Sequence, residues 1–274
     1  MDKPAGITSH DAVRRVRRAL GGPPAGHTGT LDPFATGLLV VLVGRATRLA
    51  RFVEGRPKRY AAEARLGWAT DTDDVSGTPL GPPVPVAVTA HAVAEALASL
   101  AGRQLQRPPA FSAKHVAGQR SYRLARRGEA VPLAPVEVEV HEIALRRFDG
   151  EQVSFSVTVS AGTYVRALAR DLGERLGTGA HLTALRREAI GTLEVADAVP
   201  LDAVSGAALR PPLTVLPHLA LEEIGEADAQ AIRHGRAVAG AGEGTIGLVH
   251  QGALLAIGEG AAGLIQPRVV LEEP

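Results

Sequence analysis

Apolar and polar positions alternate over residues 60–66, with Tyr60, Ala62, Ala64 and Leu66 on one side and Ala61, Glu63 and Arg65 on the other. That two-residue period predicts a half-buried strand. It recurs at 136–140 and 153–159, with a turn signal at Asp149-Gly150 between them. The period becomes helical in AVRRVRRAL, residues 12–20. There Val13, Val16 and Leu20 form an apolar stripe, and Arg14, Arg15, Arg17 and Arg18 face outward. Ser9 or His10 is the expected cap and Gly21-Gly22 the expected stop. Helices are also predicted over 89–100 and 163–176, the second ended by Gly177, with 182–187 as a further short helix. Residues 37–44 are apolar throughout and fit a buried strand or a helix end equally well. Residues 77–85 are a Pro/Gly-rich turn region.

Pro211, Pro212 and Pro217 break the chain before residue 218. Beyond them GTIGLVH, ALLAIGEG and PRVVLEE read as short strands with glycine turns, a small β-rich module. Two domains are therefore expected, 1–217 and 218–274, with the prolines as a linker and the first domain folded and active without the second.

Composition narrows the chemistry. The 274 residues contain no cysteine, which excludes a disulfide framework, a zinc ribbon and thiol catalysis. The longest apolar run, 38–43, is far short of a membrane span, and the first residues carry no apolar secretion segment. A cytoplasmic protein with no membrane contact is expected. The formal charge of +1 hides an asymmetry: residues 218–274 carry −5 and the remainder +6. Residues 101–128 hold seven Lys or Arg (Arg103, Arg107, Lys114, Arg120, Arg123, Arg126, Arg127) and no acid, with Phe111 and Tyr122 among them. Basic side chains interleaved with aromatics suit a nucleic acid, although such runs are often only solvated faces.

Three words hold the remaining polar candidates: GHTGTLDPFATG (26–37), KRYAAEARLGWATDTDD (58–74) and SAGTYVRALARDLGERLGTGAHLTALRR (160–187). Asp32 precedes Pro33, an arrangement that often caps a helix. Asp71, Asp73 and Asp74 fail as a calcium loop, because the glycine comes late and the twelfth position is Pro82; a hydrogen-bonded turn fits better. No metal site is expected, since the nine histidines lack ligand spacing, and no phosphate loop or nucleophile elbow is present. No cofactor is therefore called for.

GHTGTLDPFATGLLVVLVGRATR, KRY, LGWATDTDD, GTYVRALARDLGERLG and GAHLTALRR follow one another in that order, with DKPAGITSHDAV before them and RPPAFSAKHVAGQRSYRLARRG in the middle. Together these words strongly resemble the TruB family of tRNA pseudouridine-55 synthases. The resemblance implies an α/β (α+β) fold with a mixed, largely antiparallel sheet and flanking helices, followed by a small PUA-like β-barrel. It implies conversion of uridine 55 in the tRNA T loop to pseudouridine: the base flips out, leaves the ribose at N1 and rejoins it through C5.

Asp32 falls on the family's catalytic aspartate, as nucleophile or base. Tyr60 falls on its active-site tyrosine, and Arg166 on the arginine that pairs with the carboxylate and opposes its desolvation. Tyr164 and Leu185 match the uracil pocket, and His27 a histidine that contacts the RNA. Lys3, Arg59 and Arg187 are candidates for phosphate or loop contacts. Residues 104–131 match an insertion that grips the T arm, where Arg107, Lys114, Arg120, Arg123, Arg126 and Arg127 would meet phosphates. The implied partner is tRNA, through its T-arm stem-loop, with no obligate protein partner. The alternative is a non-catalytic tRNA-binding or folding protein on the same scaffold. A metal-dependent RNA hydrolase ranks third for want of ligands. Family members usually begin with a short apolar strand before the D-K-P word, and here Met1-Asp2 stands in its place.

Overall fold

The computed structural model describes residues 1–111, 115–116, 119–120, 127 and 133–272, with backbone only at 115–116 and 119–120. In chain order the strands are β1 (Asp2–Lys3), β2 (Ala25–His27), β3 (Thr36–Leu38), β4 (Val41–Val43), β5 (Lys58–Leu66), β6 (Gly102–Gln106), β7 (His115–Val116), β8 (Gln119–Arg120), β9 (Val136–Phe148), β10 (Gln152–Val159), β11 (Ala180–Ile190) and β12 (Leu193–Glu194). The C-terminal strands are β13 (Ala220–Glu223), β14 (Val238–Ala239), β15 (Gly244–His250), β16 (Ala253–Ala261) and β17 (Leu264–Val270). The helices are α1 (Ser9–Ala19), α2 (Ala50–Glu54), α3 (Ala90–Ala98), α4 (Val165–Leu176) and α5 (Glu226–Arg233). None of the described helices is long and apolar enough to cross a membrane.

The main sheet runs β1-β3-β11-β5-β10-β9-β6, with β12 on the end of β11. Only β3 and β11 pair in parallel, so the sheet is mixed and largely antiparallel as expected. The alternation of β5 is the one the sequence shows. Tyr60, Ala62, Ala64 and Leu66 join a buried cluster with Phe155 and Val157 of β10, Leu97 of α3 and Leu168 and Leu172 of α4. Helices α3 and α4 therefore cover the face on which Tyr60 lies.

Two expectations need correction, and one open alternative is decided. Residues 182–187 are not helical but belong to β11, which pairs with β5 on one edge and β3 on the other. A bulge at Thr183 lets Leu182 face Ala64 and Leu185 face Ala62, so both are buried on one face. That bulge creates the three-residue spacing that mimics a helix. The cap of α1 is Thr8, in a reciprocal capping box with Asp11. Ser9 is instead buried and bonds Leu31. No helix follows Asp32-Pro33; the segment turns through an Ala35 N–H to Asp32 C=O bond of 3.1 Å and enters β3.

The ambiguous run 37–44 forms strand segments buried on both sides. Leu39 and Val41 face the cluster under α4, while Leu38, Val40 and Leu42 face a second cluster with Leu49, Val53, Leu254, Ile257 and Val269. Both parities are apolar because both faces are covered. The last three residues lie beyond 218, so the apolar core is continuous with the C-terminal module. That module is a five-stranded sheet, β13-β15-β16-β17-β14, packed on α5, and is PUA-like in form.

Candidate active site

The loop between β2 and β3 carries Asp32, and side chains from elsewhere hold its backbone. The Ser9 hydroxyl accepts from Leu31 N–H at 2.8 Å and donates to Leu31 C=O at 3.1 Å. Arg187, 1% exposed, donates from Nε to Leu38 C=O at 2.7 Å, from Nη2 to Gly29 C=O at 3.0 Å and from Nη1 to Thr30 C=O at 3.5 Å. Lys3, fully buried, donates to the carbonyls of Pro4, Ile7 and Pro33. Buried carbonyls need such partners. Gly37 lies at φ +104°, and a Cβ there would come 2.2 Å from Arg187 O, so only glycine lets β3 approach β11 this closely.

Above this support Asp32 meets Arg166. Nη2 of Arg166 donates to Oδ1 at 3.1 Å, and Nε lies 2.9 Å from Oδ2 as an ion-pair contact without hydrogen-bond geometry. The Arg166 side chain is 5% exposed and that of Asp32 30%, so one side of the carboxylate stays reachable. The same guanidinium donates to Thr72 C=O at 2.8 Å and Phe111 C=O at 2.9 Å, and lies 3.2 Å from Asp74 Oδ2. Asp74 is itself fixed by the Thr72 hydroxyl, the Ser76 N–H and the Ser76 hydroxyl. Burial pushes the Asp32 carboxyl up from its ordinary value; the Arg166 charge opposes this and the Asp74 charge adds to it. The net upward direction makes Asp32 a stronger base than a solvated aspartate.

One turn along α4, Arg170 pairs with Asp73 at 3.1 Å and Asp171 at 2.8 Å, and donates to Arg107 C=O at 3.1 Å. Asp73 is pushed up to about 6, chiefly by burial. It stands at φ +59°, a left-handed conformation that non-glycine residues seldom adopt. Burial also lowers Lys3 to about 8, with Asp32 opposing.

A family model described as the TruB family pseudouridylate synthase N-terminal domain matches residues 17–165, and one described as the tRNA pseudouridylate synthase B C-terminal domain matches 166–212. The chain belongs to the TruB family. It is 44% identical to the tRNA pseudouridine synthase B of Thermobifida fusca, over 98% of this chain and 96% of the relative. It is 43% identical to that of Solibacter usitatus, over 86% and 83%. In fold it resembles a solved chain from an H/ACA RNP bound to a substrate RNA containing 2′-deoxyuridine, with TM-score 0.75, 23% identity and coverage of 99% of this chain and 83% of that one. This TruB-family chain is thus a tRNA pseudouridine synthase, an isomerase.

The TruB-family structure gathers some expected residues and leaves others apart. Leu31, Tyr60 and Leu185 share one buried cluster, with Phe34 packed against it. Tyr164 is half-buried and stands at the N-cap of α4, two residues before Arg166. His27 ends β2 at the entrance to the Asp32 loop. Its buried Nδ1 has no hydrogen-bond partner, and burial lowers its ring below the ordinary value, with the Arg187 charge adding.

Lys3 and Arg187 lie beneath the loop rather than at a surface, with their polar atoms on carbonyls. Arg59 points to the opposite face of β5 from Tyr60, where Glu194 and Glu188 hold it at 2.6 and 3.4 Å. Arg107 and Arg127 are exposed. Lys114, Arg123, Arg126 and the Arg120 side chain lie outside the described residues. Asp74 is the functional neighbour that sequence reasoning assigned to a plain turn. The signal was the ATDTDD word set against R-x-x-x-R, whose two arginines share one helix face.

Proposed function

We propose that this tRNA pseudouridine synthase acts on uridine 55 in the T loop, and that Asp32 is the residue that starts the reaction. The observation that supports this reading is a carboxylate ion-paired to a buried arginine, which donates one hydrogen bond to it, and still partly exposed. Tertiary bonds organise the group before any substrate arrives, so the reaction needs little reorganisation. The reaction is an isomerisation: the N1–C1′ bond breaks, a C5–C1′ bond forms, the C5 proton leaves and N1 gains one. Asp32 serves as nucleophile or base at the ribose or the uracil ring, and the base character raised by burial suits either use.

A uridine in a folded T loop is stacked, and flipping it out costs roughly a few kcal/mol. Phosphate contacts from the acid-free segment 101–128 offset that cost. Tyr60, Tyr164 and Leu185 form the pocket for the flipped base, and His27 contacts the RNA at the loop entrance. The enzyme works on tRNA in the cytoplasm through the T arm, with no obligate protein partner.

The test is incubation with an unmodified tRNA transcript, followed by mapping of pseudouridine. The wild type should modify position 55 alone. Asp32→Asn keeps the size and one acceptor oxygen but removes the negative charge, so product should fall to background while tRNA binding survives. Substantial turnover by purified Asp32→Asn, free of wild-type enzyme, would overturn the assignment.

A further inference from the structure

Gln106 ends β6, at the point where the chain leaves the main sheet for the basic segment. It is a polar residue only 1% exposed. Its side-chain amide makes two bonds to one residue: Oε1 accepts from the backbone N–H of Tyr164 at 2.8 Å, and Nε2 donates to the backbone C=O of Tyr164 at 3.1 Å. A primary amide matches this pair of partners, because it offers one acceptor and one donor side by side. Tyr164 is the N-cap of α4 and has no side-chain cap of its own. The amide therefore sets the orientation of the peptides on either side of Tyr164, and through them the start of the helix that carries Arg166.

Two further bonds join the same segments. Arg170 donates to Arg107 C=O, and Arg166, while holding Asp32, donates to Phe111 C=O. Residues 106–111 are thus attached to the first two turns of α4 at three points. One of those points is the guanidinium that holds the reacting carboxylate.

We propose that Gln106 is a positioning residue for the modification reaction: it aligns Tyr164 and the N-terminus of α4, so that the root of the basic segment and the Asp32–Arg166 pair form one unit. The proposal rests on the functional reading above. Gln106 touches no substrate in this scheme. Its loss shows in the reaction of bound tRNA rather than in the binding of tRNA.

The test uses two near-isosteric variants of the full chain. Gln106→Met fills the space without polar atoms. Gln106→Glu restores both bonds when its carboxyl is protonated, since the neutral acid accepts through one oxygen and donates through the other; the carboxylate cannot donate. Single-turnover rates at saturating unmodified tRNA, tRNA affinity and melting temperature are measured from pH 6 to 8, each relative to wild type. Gln106→Met should lose roughly ten- to hundred-fold in saturating rate, with affinity within about two-fold of wild type. Gln106→Glu should stay above Gln106→Met and approach wild type as the pH falls. A purely structural role would lower the melting temperature and leave the rate of the folded fraction unchanged. The proposal fails if Gln106→Met reacts within about two-fold of wild type at saturation. It also fails if Gln106→Glu is no better than Gln106→Met at any pH. A wild type that forms no pseudouridine in the same assay would sink the functional reading instead.

Discussion

The stretch from residue 28 to 43 has two halves held by opposite kinds of chemistry. From Gly29 to Pro33 its backbone is fastened by Arg187, Ser9 and Lys3, all buried and polar. From Leu38 to Leu42 alternate side chains enter two apolar clusters, one of which is shared with Leu254, Ile257 and Val269 of the C-terminal module. The polar half fixes directions, because hydrogen bonds are angular and a misplaced buried carbonyl is costly. The apolar half fixes depth, because packing is strong but nearly free of direction. The proposed role of Asp32 calls for both. The loop that presents Asp32 thus joins the C-terminal module through about ten residues of chain.

Deletion of 218–274 tests the apolar half and should have the largest effect. Against the separable catalytic domain expected from the prolines stands the loss of Leu254, Ile257 and Val269 from the cluster that also holds Leu38, Val40, Leu42, Leu49 and Val53. The truncated chain should be insoluble or should melt far below the full chain, measured by circular dichroism. A soluble truncation with a wild-type saturating rate would show that the shared cluster is dispensable and restore the linker reading.

Arg187→Met tests the polar half. It removes the donors to Gly29, Thr30 and Leu38 while keeping much of the side-chain volume. Stability should fall by roughly 2–5 kcal/mol in urea titrations, since buried carbonyls lose their partners. The saturating rate should fall as well, because Asp32 loses its orientation. If affinity for tRNA dropped while stability and saturating rate held, Arg187 would be a phosphate contact after all.

The smallest effect sharpens the comparison through pH. Asp73 is raised to about 6 in the folded protein, from an ordinary 3.8. The folded state therefore binds this proton more tightly than the unfolded state does. Its contribution to stability is full below about 4 and is lost as the pH rises to about 6. Asp73→Asn cannot titrate, and asparagine tolerates the left-handed backbone at this position. The variant should lose less stability than wild type between pH 4 and 7, with a difference of order 1–2 kcal/mol. Parallel stability curves for the two proteins would place the titration elsewhere.

Some of this molecule was legible in the sequence because local periodicity reports it. The alternation of β5, the stripe of α1, the glycine stop of α4 and the short strands after residue 218 all follow from which neighbours share a face. Asp32, Tyr60 and Arg166 were singled out because their words are distinctive, and the fold pairs Asp32 with Arg166. Tertiary structure decided the rest. The bulge at Thr183 imitates helical spacing, and only the flanking β3 and β5 turn that segment into a strand. The apolar run at 38–43 has no period because both its faces are covered, one by a module more than two hundred residues further along the chain. Lys3 and Arg187 look like surface cations in any sequence window. Their burial depends on carbonyls that the folded loop aims at them. Asp74 reads as a turn residue until α4 brings Arg166 alongside. Apolar burial leaves a periodic trace in the chain that carries it, whereas the burial of a charge is settled by partners remote in sequence, and no local pattern records them.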